Sequence, residues 1–278
     1  MGDTLYAENG SSTGDGSNVG AVGAAAGFHW GNHSITKEGE TVGSFYGYRT
    51  DGIIQNEADL QNYLSKVKLS EGTAAVGDFK FKDLNGDGVL NGDDRTILGN
   101  GIPKFNYGLN LTASYKNWDF SLYTYGVLGQ KILSYSAMRL STVFASDDQT
   151  FPNILKDSYD KVAHVANGQV TNPGATLPRL MMVDEAYNMR CSDAWVKNGN
   201  FLRISNLQVG YTFPKNWLQP LHVQNARAYV AVQNLATISG YNKYGDPEVG
   251  QGSVLFSGLD TGRFPMPRIY QLGLSVTF

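Results

Sequence analysis

From Phe105 to Tyr115 the chain alternates without a break. Phe105, Tyr107, Leu109, Leu111, Ala113 and Tyr115 stand at odd positions, and Asn106, Gly108, Asn110, Thr112 and Ser114 at even ones. Successive side chains of a strand point to opposite faces, so this is a strand with one apolar and one polar face. After a polar corner at Lys116 and Asn117, Trp118, Phe120 and Leu122 resume the pattern against Asp119, Ser121 and Tyr123. The spacing predicts two antiparallel strands joined by a tight hairpin. The alternation recurs at Leu207, Val209, Tyr211 and Phe213, where Pro214 ends it, and at Tyr270, Leu272, Leu274, Val276 and Phe278. Between them "NARAYVAVQNLATI" forms a further, less regular strand.

These are about five strands of roughly nine to fourteen residues, close to the ~9–11 that cross a bilayer at a tilt. Their connections run short (116 to 117), very long (about 129 to 199), fairly short (214 to 225) and long (239 to 266). Outer-membrane barrels alternate short periplasmic turns with long extracellular loops. A soluble β-sandwich has no reason to gather its long loops at one end. Phe105, Tyr115, Trp118, Phe213, Tyr270 and Phe278 sit near strand ends, as girdle residues do. Mean hydropathy of -0.28 and a longest weakly apolar run of only "AVGAAAGF" exclude a spanning helix, but barrel strands keep a modest mean hydropathy.

The 278 residues carry a formal net charge of -3, which excludes nucleic acid as a partner. Aromatic content of 12% with 33 Gly and only 9 Pro is the usage of strands and turns. The single cysteine, Cys191, cannot form an internal disulfide and reads as an incidental buried thiol. Residues 1 to about 20 read as loop, 34 to 56 as extended segments broken by Gly, and 57 to 66 as a short surface helix with Leu60, Tyr63 and Leu64 at helical spacing.

One loop carries recognisable chemistry. In "DLNGDGVLNGDD" the EF-hand positions 1, 3 and 5 are Asp83, Asn85 and Asp87, the turn glycine is Gly88, Val89 offers its carbonyl, Asn91 stands at 9 and Asp94 at 12. Asp94 replaces the usual Glu, and no helix pair flanks the loop. The expected ligand is Ca²⁺, bound structurally and weakly, near ~10⁻⁴–10⁻³ M. The same Asp and Asn side chains can also close the loop on its own amides without metal. Enzyme signatures are missing. His29 and His33 lie in a Gly-broken stretch, His164 and His222 are isolated, and the neighbours Asp184 and Glu185 point apart in any extended segment. Tyr135, Phe144, Tyr159, Tyr187, Trp195, Tyr241 and Tyr244 in the long loops are the aromatics a sugar ligand would use, but loop packing accounts for most of them. No substrate-binding residue is assigned.

"GSFYGYRTDGIIQN", "GDFKFKDLNGDGVLNGDDRTILGN", "PKFNYGLNLTASYKNWDFSLYTYG", "KNGNFLRISNLQVGYTFP", "VAVQNLATISGY", "GDPEV" and "RIYQLGLSVTF" follow one another in this order. From about residue 34 onward the chain thereby resembles the SusC/RagA-type TonB-dependent outer-membrane transporters. The resemblance implies an all-β fold: the C-terminal portion of a transmembrane antiparallel β-barrel with long extracellular loops, taken from a plugged barrel of about 22 strands. Signal peptide, plug and TonB box are not recognised, so the chain reads as a fragment. Residues 1–103 are expected as an extracellular loop region with a short helix and the EF-hand-like loop. Residues 104–278 are expected as the last strands with their loops. The implied function is import of glycans or peptides through the outer membrane of a Gram-negative bacterium. The implied partners are a SusD-like surface lipoprotein, TonB through the missing N-terminal part, the barrel assembly machinery, and an oligosaccharide or peptide substrate. The alternative is a secreted calcium-dependent carbohydrate-binding β-sandwich.

Overall fold

A computed structural model describes residues 33–141, 157–159, 165–166, 169–170, 174–180, 187–249, 257–262 and 264–278. Within it the alternating segments form one antiparallel sheet of five strands: β1 (Phe105–Tyr115), β2 (Trp118–Leu128), β3 (Phe201–Thr212), β4 (Asn225–Ser239) and β5 (Ile269–Thr277). Each strand pairs with its neighbour in the chain, in the order β5-β4-β3-β2-β1. The register lines up the apolar alternations. Ala113, Phe120, Val209, Val230 and Leu272 stand side by side across all five strands, and Tyr115, Trp118, Tyr211, Ala228 and Leu274 form the next row. On the opposite face Thr112, Ser121, Gln208, Ala231 and Gln271 form a mostly polar row.

Among the described residues no second sheet packs against the apolar face. Leu272 is 84% exposed, and Leu109, Leu111, Trp118 and Val230 are exposed as well. A sandwich buries this face in its core, so the β-sandwich alternative is set aside. The irregular alternation of β4 has a local cause. Register slips between Ile204 and Asn206 of β3, and Asn234 of β4 has a φ of 52°, the left-handed geometry of a bulge that Asn tolerates.

A second compact unit gathers the described residues of 1–101, 131–197 and 249–262. Compactness therefore divides the chain differently from the expected split at 103/104: described residues of 131–197 and 249–262 cluster with those before β1, while 239–248 stays with the sheet. This unit has its own core, including Phe45, Ile54, Tyr63, Phe81, Leu133 and Trp195. The helix Glu57–Lys66 forms as the spacing predicts. The Asn56 side chain caps it by accepting from the Asp59 N–H at 2.9 Å, and Leu60 and Tyr63 face the core while Leu64 is exposed. Its short strands pair over long sequence distances, as Leu133 does with Leu259.

Candidate functional site

The 83–94 loop brings its six expected calcium ligands onto one turn, but their oxygens are engaged by the loop's own backbone. Asp83 accepts from the N–H groups of Gly86 (2.7 Å) and Gly88 (2.8 Å). Asn85 accepts from Asp87 (2.9 Å), Asp87 from Val89 (2.7 Å) and Asn91 from Asp93 (2.6 Å). Asp94 is fully buried and accepts from Leu84 (2.8 Å) with one oxygen and Asn91 (2.9 Å) with the other. Gly88 has a φ of 78°, the left-handed turn its position requires. Val89 begins a two-residue strand paired with Lys68 and Leu69. Among the described residues no group of three or more His, Cys, Asp or Glu is drawn together as a metal site. The donors suit a hard cation, yet Asp94 must release its amides to reach one.

A denser polar cluster lies at the end of the sheet where the long connections leave. Arg203 of β3 is 1% exposed, and its Nη2 donates to Asp246 Oδ1 at 2.5 Å, while Nη1 stands 3.1 Å from Glu248 Oε2. The Tyr125 hydroxyl of β2 donates to the same Glu248 carboxylate at 2.9 Å, and the Tyr125 ring meets Phe201 edge-on at 6.0 Å. Asp246 also accepts the N–H groups of Glu248 (3.0 Å) and Met266 (3.3 Å). The "GDPEV" segment is thus riveted to the polar face of the sheet. Beside it opens a cavity of about 520 Å³ lined by Asn234, Thr237, Asn242, Lys243, Tyr244 and Arg268, among others. The Lys243 ammonium lies 4.7 Å from the centre of the Tyr244 ring. Amide, hydroxyl and cationic groups around one aromatic face suit a polar, hydroxyl- or amide-bearing ligand.

Sequence reasoning missed this cluster, although a buried-face Arg in a strand and the acidic pair of "GDPEV" were both readable. The loop aromatics mostly pack: Tyr135, Tyr159, Trp195 and Tyr241 are buried, and the Tyr244 ring lies tilted at 5.6 Å from Tyr241. His29, Phe144, His164, Asp184 and Glu185 lie outside the described residues. His33 is buried and His222 exposed, far apart in the chain. Burial pushes the Cys191 thiol up to about 12, which makes it an inert core residue.

No protein-family model matches the chain. It is 31% identical over 250 residues to the TonB-dependent receptor P3 of Formosa agariphila, covering 88% of this chain and 23% of that protein. It is also 29% identical over 199 residues to the TonB-dependent receptor SusC of Bacteroides thetaiotaomicron, covering 71% and 17%. The chain belongs to the SusC/RagA-type TonB-dependent transporters. It spans about a quarter of the length of the first curated relatives it matches. A solved RagAB peptide transporter superposes with a TM-score of 0.63 at 17% identity over 88% of this chain and 24% of its own. The sheet of this SusC/RagA-type chain is accordingly a portion of a transmembrane barrel wall, its apolar face turned outward and its polar face inward.

Proposed function

We propose that the protein to which this chain belongs imports an oligosaccharide or peptide through the outer membrane of a Gram-negative bacterium, powered through TonB and served by a SusD-like surface lipoprotein. The observation that carries this reading is the two-faced wall, whose exposed apolar rows fit lipid and whose polar rows fit a solvated lumen. In this orientation the tight connections at 116–117 and 213–224 are periplasmic and the long ones extracellular. The barrel assembly machinery is the partner that takes up β5 (Ile269–Thr277). A substrate of either class suits the amides, hydroxyls and aromatic face of the cavity beside Asp246. The curated relatives are named TonB-dependent receptors, and the structural neighbour is described as a peptide transporter, which supports a TonB-powered importer. Calcium belongs to the same reading as a weak structural ligand of the 83–94 loop, because binding must compete with the amides that Asp94 already satisfies.

The test is uptake of labelled oligosaccharides and peptides by the native host, with the gene deleted and, separately, with TonB deleted. Both deletions should abolish uptake of the same substrate. Undiminished uptake of every substrate in either strain refutes the proposal.

A further inference from the structure

At the tight-turn end of the sheet the aromatic side chains continue past the strands. Trp118 lies 4.8 Å from Tyr211, Tyr211 5.5 Å from Phe213, and Phe213 6.4 Å from Trp217, centre to centre. Trp118 and Tyr211 are paired on the apolar face, so the chain of rings leads from the lipid-facing wall onto the 213–224 connection. That connection is built to be held in place. Pro214 precedes the helix Lys215–Leu218, a 3-10 turn Gln219–Leu221 follows, and Leu218 is buried as its anchor. Trp217, in the helix, and Leu221, at the end of the 3-10 turn, are left 60% and 67% exposed.

The charge of the connection itself has one sign, and Asp119 of the adjoining hairpin is already paired with Arg227 at 2.5 Å. No Asp or Glu occurs from Ala194 to Gly245, while Lys215 lies in the turn itself. Lys116 of the neighbouring hairpin covers the Tyr115 ring at 5.2 Å. Trp beside Lys, with an aliphatic residue next to it and the neighbouring acid already paired, is the chemistry of the bilayer interface. The indole sits at headgroup depth and the ammonium meets lipid phosphate.

We infer that the 213–224 connection is an interfacial anchor. It lies in the phospholipid headgroup layer of the leaflet facing the tight turns, with Trp217 and Leu221 inserted, and sets the depth of this part of the wall. The inference rests on the barrel reading above and adds to it a lipid contact made by a turn rather than by a strand.

The experiment places a photoreactive benzoylphenylalanine singly at positions 217, 221, 230 and 208 of the full-length transporter in native outer membranes, and scores phospholipid adducts by mass spectrometry. Position 230 reports the outer face of the wall and position 208 the inner face. Positions 217 and 221 should form lipid adducts within about two-fold of the yield at 230, with none at 208. Adducts at 230 but none at 217 and 221, or protein adducts there instead, overturn the anchor and leave the barrel standing. Lack of lipid adducts at all four positions overturns both.

Discussion

The Arg203 rivet makes a quantitative test of what holds the long loop to the wall. Asp246 is 9% exposed against an Arg203 that is 1% exposed, so Asp246→Ala strands a guanidinium in a place water barely reaches. Breaking a buried pair by removing one partner costs about 3–5 kcal/mol. Glu248 already stands 3.1 Å from the other terminal nitrogen and substitutes in part, which puts the expectation at the lower end, about 3 kcal/mol. Glu248→Gln tests the other limb of the cluster. That carboxylate is 42% exposed and a Gln still accepts from Tyr125, so its loss should cost no more than about 1 kcal/mol. The assay is hydrogen exchange of the 241–249 amides in the purified full-length transporter. At about 1.4 kcal/mol per tenfold, Asp246→Ala should speed exchange there by roughly two orders of magnitude and Glu248→Gln by less than about tenfold. Equal effects from the two variants, or no effect from Asp246→Ala, would show that the segment is held by something other than the ion pair.

The remaining expectations touch other parts of the chain. Gly126→Ala should lower the melting temperature of the purified transporter, because the added methyl meets the Phe201 carbonyl and the Tyr107 ring, an overpacking of about 1–3 kcal/mol; unchanged melting rejects this. Cys191 should resist iodoacetamide at pH 8 in the folded protein, since a thiol held up at about 12 is only about one part in 10⁴ ionised there. The same raised value favours the folded state while the thiol is protonated, and that contribution fades as pH climbs from about 9 toward 12. Terbium luminescence at the 83–94 loop should vanish in the Asp83→Ala plus Asp87→Ala variant, and identical signals from variant and wild type would show that the loop is only a turn. Deleting Phe278 should reduce outer-membrane levels of the full-length protein more than deleting Asn172, as read by surface proteolysis and blotting, and equal levels contradict a role in assembly.

What could be read from the sequence was what has a period. Period-two alternation gave the five strands and assigned faces along β1, β5, most of β2 and the second half of β3, because one wall strand meets only its two neighbours and lipid or lumen on either side. The bulges were not legible. A slip at Ser205 and a left-handed Asn234 restore the faces after an extra residue, and nothing in "ISN" or "QNL" marks them apart from Asn itself. The loop unit was hardest, since strands of two to four residues carry no period and pair across gaps as wide as Leu133 to Leu259. The calcium pattern was legible as composition, yet the same oxygens that suit a cation suit an amide, and only geometry separates the two.

The glycines inside the strands mark where alternation understates the fold. Read as a spacer between apolar residues, Gly126 looks neutral, but the Tyr107 ring lies over it, and its hydroxyl donates to the Phe201 carbonyl two strands away at 3.0 Å. Gly210 does the same on the inner face. Asp119 of β2 and Arg227 of β4 reach each other across β3, with Arg227 Nη2 2.5 Å from Asp119 Oδ2, only because no side chain stands between them. Each glycine thus trades its own packing for a contact between second-neighbour strands, which ladder hydrogen bonds cannot supply. A wall that must keep its curvature while its faces meet lipid and water gains most from such cross-braces, for neither solvent offers the packing that a second sheet would. If this is right, Gly210→Val should loosen exchange in β2 and β4 as well as in β3, because the brace it breaks belongs to the neighbours.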